Sequence, residues 1–347
     1  MFYIHQTTCI SPQQTFNEIN LDVLHEAVDN KLCVIEPLYQ GIPPGLLRRM
    51  GKAVKIGVGA ALPLLKQPDV IAGIIIGTAN GGMEESVKFL KQIIEYDEDA
   101  LTPGNFVQST SNAVASQVSL LTHNKGYNVT HVHRGLAFEN AVIDAAMMVR
   151  ENEETTYLLG GVDEISSYNY NLDNLEGWNK REHISNTNLY LSETCGSIVG
   201  EGAAMFIVNG EKANAVARLK AIAILNTGDE VDVKNALQNF LAAHLQPDEK
   251  IDLLLSGENG DSRLLHFYTC CESILGDNTS VARFKHLCAE YPTASAFALW
   301  LACNIIQAQH LPPHTVKRQA STRGGYKNVL VYNNHKGVQH SFMLVCK

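Results

Sequence analysis

The chain has 347 residues, 45% of them hydrophobic, with 27 Lys and Arg against 36 Asp and Glu for a formal charge of −9. Disorder is thereby excluded as the main state, and the acidic balance, with no basic run longer than Arg48-Arg49, argues against nucleic acid as a partner. Charged residues make up only 18%, below the roughly 25% of ordinary soluble domains, so a large core or a subunit interface is expected.

Eight cysteines, at 9, 33, 195, 270, 271, 288, 303 and 346, form no CxxC pair and no zinc spacing with histidine. They read as free thiols of a reducing compartment. The opening Met-Phe-Tyr-Ile-His-Gln lacks the basic and apolar regions of a signal peptide, and no apolar run nears the roughly 20 residues that span a bilayer. A cytoplasmic location without a membrane span is the expectation.

Along the chain, Phe2 to Ile4 and Leu32 to Ile35 read as short strands, with Ser11-Pro12 between them. From Pro44, the residues Leu46, Leu47, Met50, Val54, Ile56, Val58 and Leu62 recur at helical spacing and stop near Pro68. Val70 to Ile76 predicts a buried strand opening into Gly77-Thr78-Ala79-Asn80-Gly81-Gly82, with a helix over Glu84 to Ile94. The same grammar recurs: Asn128 to Thr130 leads into a helix from Leu136 to Val149, and Thr156 to Leu159 into the glycines of Gly160-Gly161-Val162-Asp163-Glu164. Gly200-Glu201-Gly202-Ala203 precedes a strand over Ala204 to Val208.

After Gly210 the pattern restarts, with strands at Ala215 to Leu225 and Ile251 to Leu255 and helices at Val231 to His244, Ser262 to Leu275 and Thr293 to Ala308. Two strands close the chain, Asn328 to Tyr332 and His340 to Cys346. Alternating strands and helices imply an α/β fold with a mainly parallel sheet covered on both faces. Two halves, 1–210 and 211–347, are the natural division.

The glycines from Gly77 to Gly82 match neither GxGxxG nor a phosphate loop with Lys and Ser/Thr, so tight turns and close packing explain them better than a nucleotide. His131 and His133 flank a helix start that would suit an anion or thiolate, yet His-Val-His-Arg-Gly-Leu-Ala-Phe contains neither Cys nor Ser. With no nearby carboxylate or third His in the sequence, local hydrogen bonding is favoured over a metal site. Neither a metal nor a cofactor is expected.

Taken together, Tyr3-Ile4 through Ser11-Pro12, Leu47-Arg48-Arg49-Met50, Gly77-Thr78 with Gly81-Gly82, Thr102-Pro103 with Phe106 and Ser111-Asn112, and the two later glycine signatures resemble the β-ketoacyl-ACP synthases of the thiolase-like superfamily. The resemblance runs nearly end to end. It implies a five-layered αβαβα fold of two similar halves, working as a dimer. It also places Gly135 where the family carries its catalytic Cys, and Glu258 and Glu290 where it carries two catalytic His, while Lys285 is retained. The family's closing Gly-Phe-Gly-Gly turn, which helps form the oxyanion hole, is reduced to Gly337-Val338-Gln339-His340.

Acyl transfer needs a thiolate, and decarboxylative condensation needs donors for the developing enolate, which an ionised Glu would repel. The resemblance therefore implies a non-catalytic subunit like the chain-length factors of type II polyketide and aryl-polyene systems. Such a subunit would pair with an active ketosynthase, meet acyl carrier protein through the complex, and shape the partner's acyl tunnel at the segment of Val107, Thr110 and Val114. Plain interface packing is the alternative role for those three. Two other readings stay open: an acyltransferase or thioester hydrolase with a relocated nucleophile, such as Cys288 near His286 or a group such as His133, and a homodimeric acyl-binding module.

Overall fold

The computed structural model describes residues 1–65, 71–97, 99, 101–320 and 325–347. The predicted helix end at Pro68 and the first residue of the strand from Val70 lie outside the described residues.

Ten strands carry the architecture. The first five are β1 (Phe2–Ile10), β2 (Gly73–Gly77), β3 (Tyr127–His131), β4 (Tyr157–Asp163) and β5 (Gly202–Asn209). The second five are β6 (Ala217–Asn226), β7 (Leu253–Ser256), β8 (Ser280–Arg283), β9 (Asn328–His335) and β10 (Gln339–Cys346). They form one ladder in the order β8-β7-β9-β10-β6-β1-β5-β4-β2-β3, with the short strand Val316–Arg318 added outside β8.

The pairing repeats. β2 is parallel to β3 and β4, β4 is antiparallel to β5, and β5 to β1. In the same order β7 is parallel to β8 and β9, β9 is antiparallel to β10, and β10 to β6. The two sets meet where Phe2 of β1 pairs antiparallel with Leu219 of β6. The expected mainly parallel sheet is thus corrected to a mixed one, with five antiparallel joints among nine. The reason is local for β9 and β10: Lys336 and Gly337 turn the chain in the left-handed region, at φ 54° and 72°, and a tight turn can join only antiparallel strands.

Helices complete the layers. α1 (Lys52–Ala61) and α2 (Ala113–Thr122) pack outside the first set of strands, and α4 (Glu230–His244) and α5 (Leu265–Leu275) outside the second. Between the sets lie α3 (Ala137–Glu151) and α6 (Ala294–Ala308), which gives the five-layered αβαβα order. α6 is buried on every side because it is apolar on every side, from Ala294 through Phe297, Trp300 and Ile306. Each strand serves two cores by alternation: Ile75, Leu159, Leu255 and Val331 face the central layer, whereas Ile74, Leu158, Leu254 and Leu330 face the outer helices.

Gly160 and Gly161 are not the loop the sequence suggested; they lie inside β4. A Cβ at Gly160 would strike the Met205 side chain, and one at Gly161 would come 2.7 Å from Ala296 Cβ and 2.9 Å from the Phe138 ring. Gly161 lets α3 and α6 close on the strand, and Gly160 on its other face makes room for Met205 of β5. Strand β8 and the strand Val316–Arg318 escaped the sequence reading, being too short to show a period.

Candidate functional site

The parallel strands β2, β3, β4, β7 and β8 point their carboxyl ends at one crevice between the two strand sets, where open α/β sheets place ligands. At its first-set wall, Asp163 ends β4 fully buried. Its Oδ1 accepts from Ala79 N–H at 2.9 Å, Asn80 N–H at 2.8 Å and Thr78 Oγ1 at 3.1 Å, and its Oδ2 from Thr293 Oγ1 at 2.9 Å. This carboxylate fixes the Gly77–Gly82 turn from within the protein, consistent with a packing role for those glycines. Burial raises its pKa, against the pull of these donors. Next in sequence, Glu164 accepts from Ala53 N–H at 3.0 Å, and burial, followed by repulsion from Glu85, pushes it up to about 7.

Gly135 sits at the start of α3 with its N–H donated to Gln339 Oε1 at 2.9 Å. The place a Cβ would occupy is already taken by Cβ and Cγ of His335, the last residue of β9. His335 Nδ1 lies 4.0 Å from Glu290 Oε1. Glu290 in turn accepts from Lys285 Nζ at 2.8 Å on one oxygen and from Asn259 Nδ2 at 2.9 Å on the other. The Lys285 side chain is fully buried, while that of Glu290 is 18% exposed. Burial alone would raise the Glu290 pKa, but the Lys285 ammonium and the His335 ring outweigh it and hold the carboxyl below its usual range.

The structure therefore joins Gly135, Lys285 and Glu290 through His335, and sends Glu258 elsewhere. Glu258 accepts from Arg283 Nη1 at 3.0 Å and Lys317 Nζ at 2.6 Å; Lys317 also reaches Glu272 at 2.8 Å, and the Arg283 guanidinium stacks 3.8 Å from the centre of the Tyr190 ring. Sequence reasoning missed Arg283, Lys317, Asn259, Gln339 and His335. Two of them left a signal: Gln339 in the turn Gly337-Val338-Gln339-His340, and His335 three residues after the Tyr332 that ended the predicted strand. The cavity beside Gly135's neighbours, lined by His335, Glu290, Asn259 and Tyr291, is about 50 Å³, room for a few water molecules and not for an acyl chain.

The three residues read for a tunnel separate. Val107 is 68% exposed and Thr110 is exposed, but Val114 is 1% exposed and packs in the chain's own core over Gly57. Val114 thus falls on the inward face of α2, apart from the other two. Phe106, 60% exposed with its ring 5.2 Å from that of Phe89, projects beside Val107 instead.

The remaining candidates resolve as follows. His131 does have a carboxylate, contrary to the sequence reading: Asp144, thirteen residues on, reaches its Nε2 at 2.8 Å from α3. His133 is exposed, with Nδ1 2.9 Å from Asn140 Nδ2. No group of three or more His, Cys, Asp or Glu able to hold a metal occurs among the described residues. Cys288 is fully buried, burial pushes its thiol well up, and its Sγ is 3.4 Å from the Ala289 carbonyl.

His286 is no base for Cys288, because both its ring nitrogens are engaged elsewhere. Tyr190 Oη donates to Nδ1 at 3.1 Å, Nε2 donates to His314 Nδ1 at 2.8 Å, and His314 Nε2 donates to the Leu21 carbonyl at 2.6 Å. This one-way relay is satisfied only by neutral rings. Burial, then His314 and Arg283, lowers His286 to about 3; burial likewise lowers His340, held between Tyr332 Oη and the Thr227 carbonyl, to about 4. Both pKa values are depressed on folding, so the unfolded chain takes up protons first. Stability should be full well above pH 6.5 and fall as pH drops toward 3, with the two histidines together costing about 4 kcal/mol by pH 5. Urea unfolding at pH 7 and 5 checks this: His340→Gln should flatten the slope, and an unchanged slope would refute the assignment.

The edge of the first strand set is open. Among the described residues β3 pairs only with β2, whereas its counterpart β8 is covered by Val316–Arg318. Around this edge Tyr127, Val132, Leu120 and Met147 are 36%, 52%, 69% and 57% exposed. Among the described residues, no helix is long and apolar enough to cross a membrane.

Residues 31–180 match the family model of the beta-ketoacyl synthase N-terminal domain. No curated protein matches the sequence. Solved structures match over the full length. A type II PKS acyl-carrier protein complex with its ketosynthase bound to the hexaketide has a TM-score of 0.79 at 12% identity, covering 99% of this chain and 98% of that one. A beta-ketoacyl synthase from Burkholderia phymatum has 0.77 at 15% identity, covering 100% and 99%. A ketosynthase in complex with its chain length factor from Xenorhabdus doucetiae has 0.76 at 12% identity, covering 99% and 97%. At these identities the likeness establishes the fold.

Proposed function

We propose, from the match of residues 31–180 to the β-ketoacyl synthase N-terminal domain and the likeness of the fold to ketosynthase structures, that the chain is a non-catalytic ketosynthase-like subunit, a chain length factor. In this reading it pairs with an active β-ketoacyl-ACP synthase, meets acyl carrier protein through the complex, and shapes the partner's acyl tunnel in polyketide, aryl-polyene or fatty-acid-type biosynthesis. The observation that carries the reading is Gly135: where the resemblance places the nucleophile there is no side chain, and His335 fills the room for one. Glu258 and Glu290, at the positions the resemblance gives to histidines, are held by cations and so spent on structure.

Supporting the partner role is the uncovered edge of β3. Unpaired backbone groups flanked by exposed Val132, Leu120 and Met147 form a template for a second sheet, and Phe106 and Val107 are exposed as well. The division 1–210 and 211–347 belongs to the same proposal, Gly210 following β5 directly. So does a cytoplasmic location, in keeping with eight free thiols, and the absence of a nucleic-acid partner, in keeping with the −9 charge. A relocated Cys288 nucleophile is opposed by its burial and by the engagement of His286.

The test is co-expression with a ketosynthase carrying an intact Cys-His-His set. A one-to-one complex is expected, whose elongation requires this chain, survives Glu258→Gln in it, and gives shorter products with Val107→Trp. Elongation or thioester hydrolysis by this chain alone would overturn the proposal.

A further inference from the structure

Twelve buried side-chain N or O atoms of the described residues have no hydrogen-bond partner, and a third of them belong to residues around one cavity: Glu164 Oε1, Ser166 Oγ, Asn169 Nδ2 and His335 Nδ1. Buried polar groups are normally paired, so their concentration marks a place built to hold something polar. Glu164, Ser166 and His335 are 5%, 1% and 8% exposed. The cavity, about 50 Å³, adjoins a cleft of about 270 Å³, with Asn169, Asp173, Pro292 and His335 lining both. Ala79, Met83 and Leu172 give the outer cleft apolar walls.

Charge selects the ligand. Five carboxylates line the joined space, Glu164, Asp173, Glu176, Asp261 and Glu290, against the cations Arg134 and Lys336. Lys336 is bound to Asp173 at 2.6 Å and Glu176 at 3.3 Å, Arg263 holds Asp261, and Lys285 holds Glu290. With those cations counted, one negative charge is left over once Glu164 ionises, above about pH 7. Glu164 is the acid with no cation partner among the described residues. No cluster among the described residues suits a metal ion, but a carboxylate and a hydroxyl are two acceptors for one ammonium group, and a half-turn of the Asn169 amide supplies a third.

We propose that this joined space binds a primary alkylammonium compound, its ammonium donating to Glu164, Ser166 and the Asn169 amide oxygen and its short apolar stem lying along Met83, Leu172 and Pro292. The site is independent of any ketosynthase partner and needs only this chain.

Thermal unfolding of the full chain at matched ionic strength tests it with propylammonium, ammonium and tetramethylammonium chlorides. Propylammonium should raise the midpoint saturably, by roughly 3–5 °C at a hundred-fold excess over Kd. Ammonium should do so less, tetramethylammonium not at all, and Glu164→Gln should abolish the response. Equal responses to all three salts, or an undiminished one in Glu164→Gln, would overturn the proposal. Should that variant fold poorly, crystals soaked in 3-bromopropylammonium decide: bromine density beside Met83 and Leu172 supports the site, and none there refutes it.

Discussion

Gly135→Cys is expected to yield a less stable protein whose new thiol is not acylated. The Cβ would collide with Cβ and Cγ of His335, atoms close to the backbone of β9 that cannot swing away. Relief requires moving the turn after His335 and stretching the Gly135 N–H bond to Gln339. Overpacking of this kind costs about 1–3 kcal/mol. Because Gly135 does not have a positive φ, the obstacle is steric and not conformational. His335→Gly should therefore rescue the Cys variant's stability while exposing the thiol. Urea unfolding and intact mass after incubation with an acyl-CoA read both effects. A fully stable, acylated single variant would show that the crevice is still open for catalysis.

The larger energetic effect is expected at Lys285 and Glu290. Lys285→Met should destabilise by about 3–5 kcal/mol, because Glu290 keeps its charge in a mostly buried setting with only Asn259 bonded to it; Glu290→Gln should cost a similar amount by stranding a fully buried ammonium. The double variant should lose less than the sum of the two, by about 1–3 kcal/mol, since it removes both charges at once. A double-mutant cycle in urea measures this coupling. Strict additivity would mean that the pair is solvated and contributes little, as surface pairs do.

In the proposed reading, these outcomes bear on why the crevice keeps its cations after losing its chemistry. Each of Lys285, Arg283 and Lys317 has a carboxylate opposite it. Replacing the carboxylates would leave the buried Lys285 and the half-buried Arg283 and Lys317 uncompensated. In the proposed reading, a site that has lost its reaction is thus kept in shape by electrostatics alone, and His335 closes the space that a nucleophile would need.

Much of the fold was legible because it rests on local periodicity. The helix of Ala294–Ala308, apolar on all faces, and the helices of Glu230–His244 and Ala137–Glu151 follow from side-chain spacing. The restart after Gly210 anticipated the repeated ladder for the same reason. Strand direction was not legible: β4 and β5 are fully buried runs, whose sequences read alike whether their neighbours lie parallel or antiparallel.

At the site, the sequence by itself determined which side chains are available: no Cys at 135, carboxylates at 258 and 290, a lysine at 285. Only the tertiary structure decided what they do, because, apart from Lys285 five residues before Glu290, their partners come from 25 to 204 positions away in chain numbering. Glu258 and Glu290 look equivalent in sequence, yet one is drawn to Arg283 and Lys317 and the other to Lys285 and His335. Likewise Val107 and Val114 differ in nothing but position on their helices, which turns one to solvent and the other into the core. Charge pairing and burial depend on where folded elements meet, and that contact geometry is a property of the whole chain.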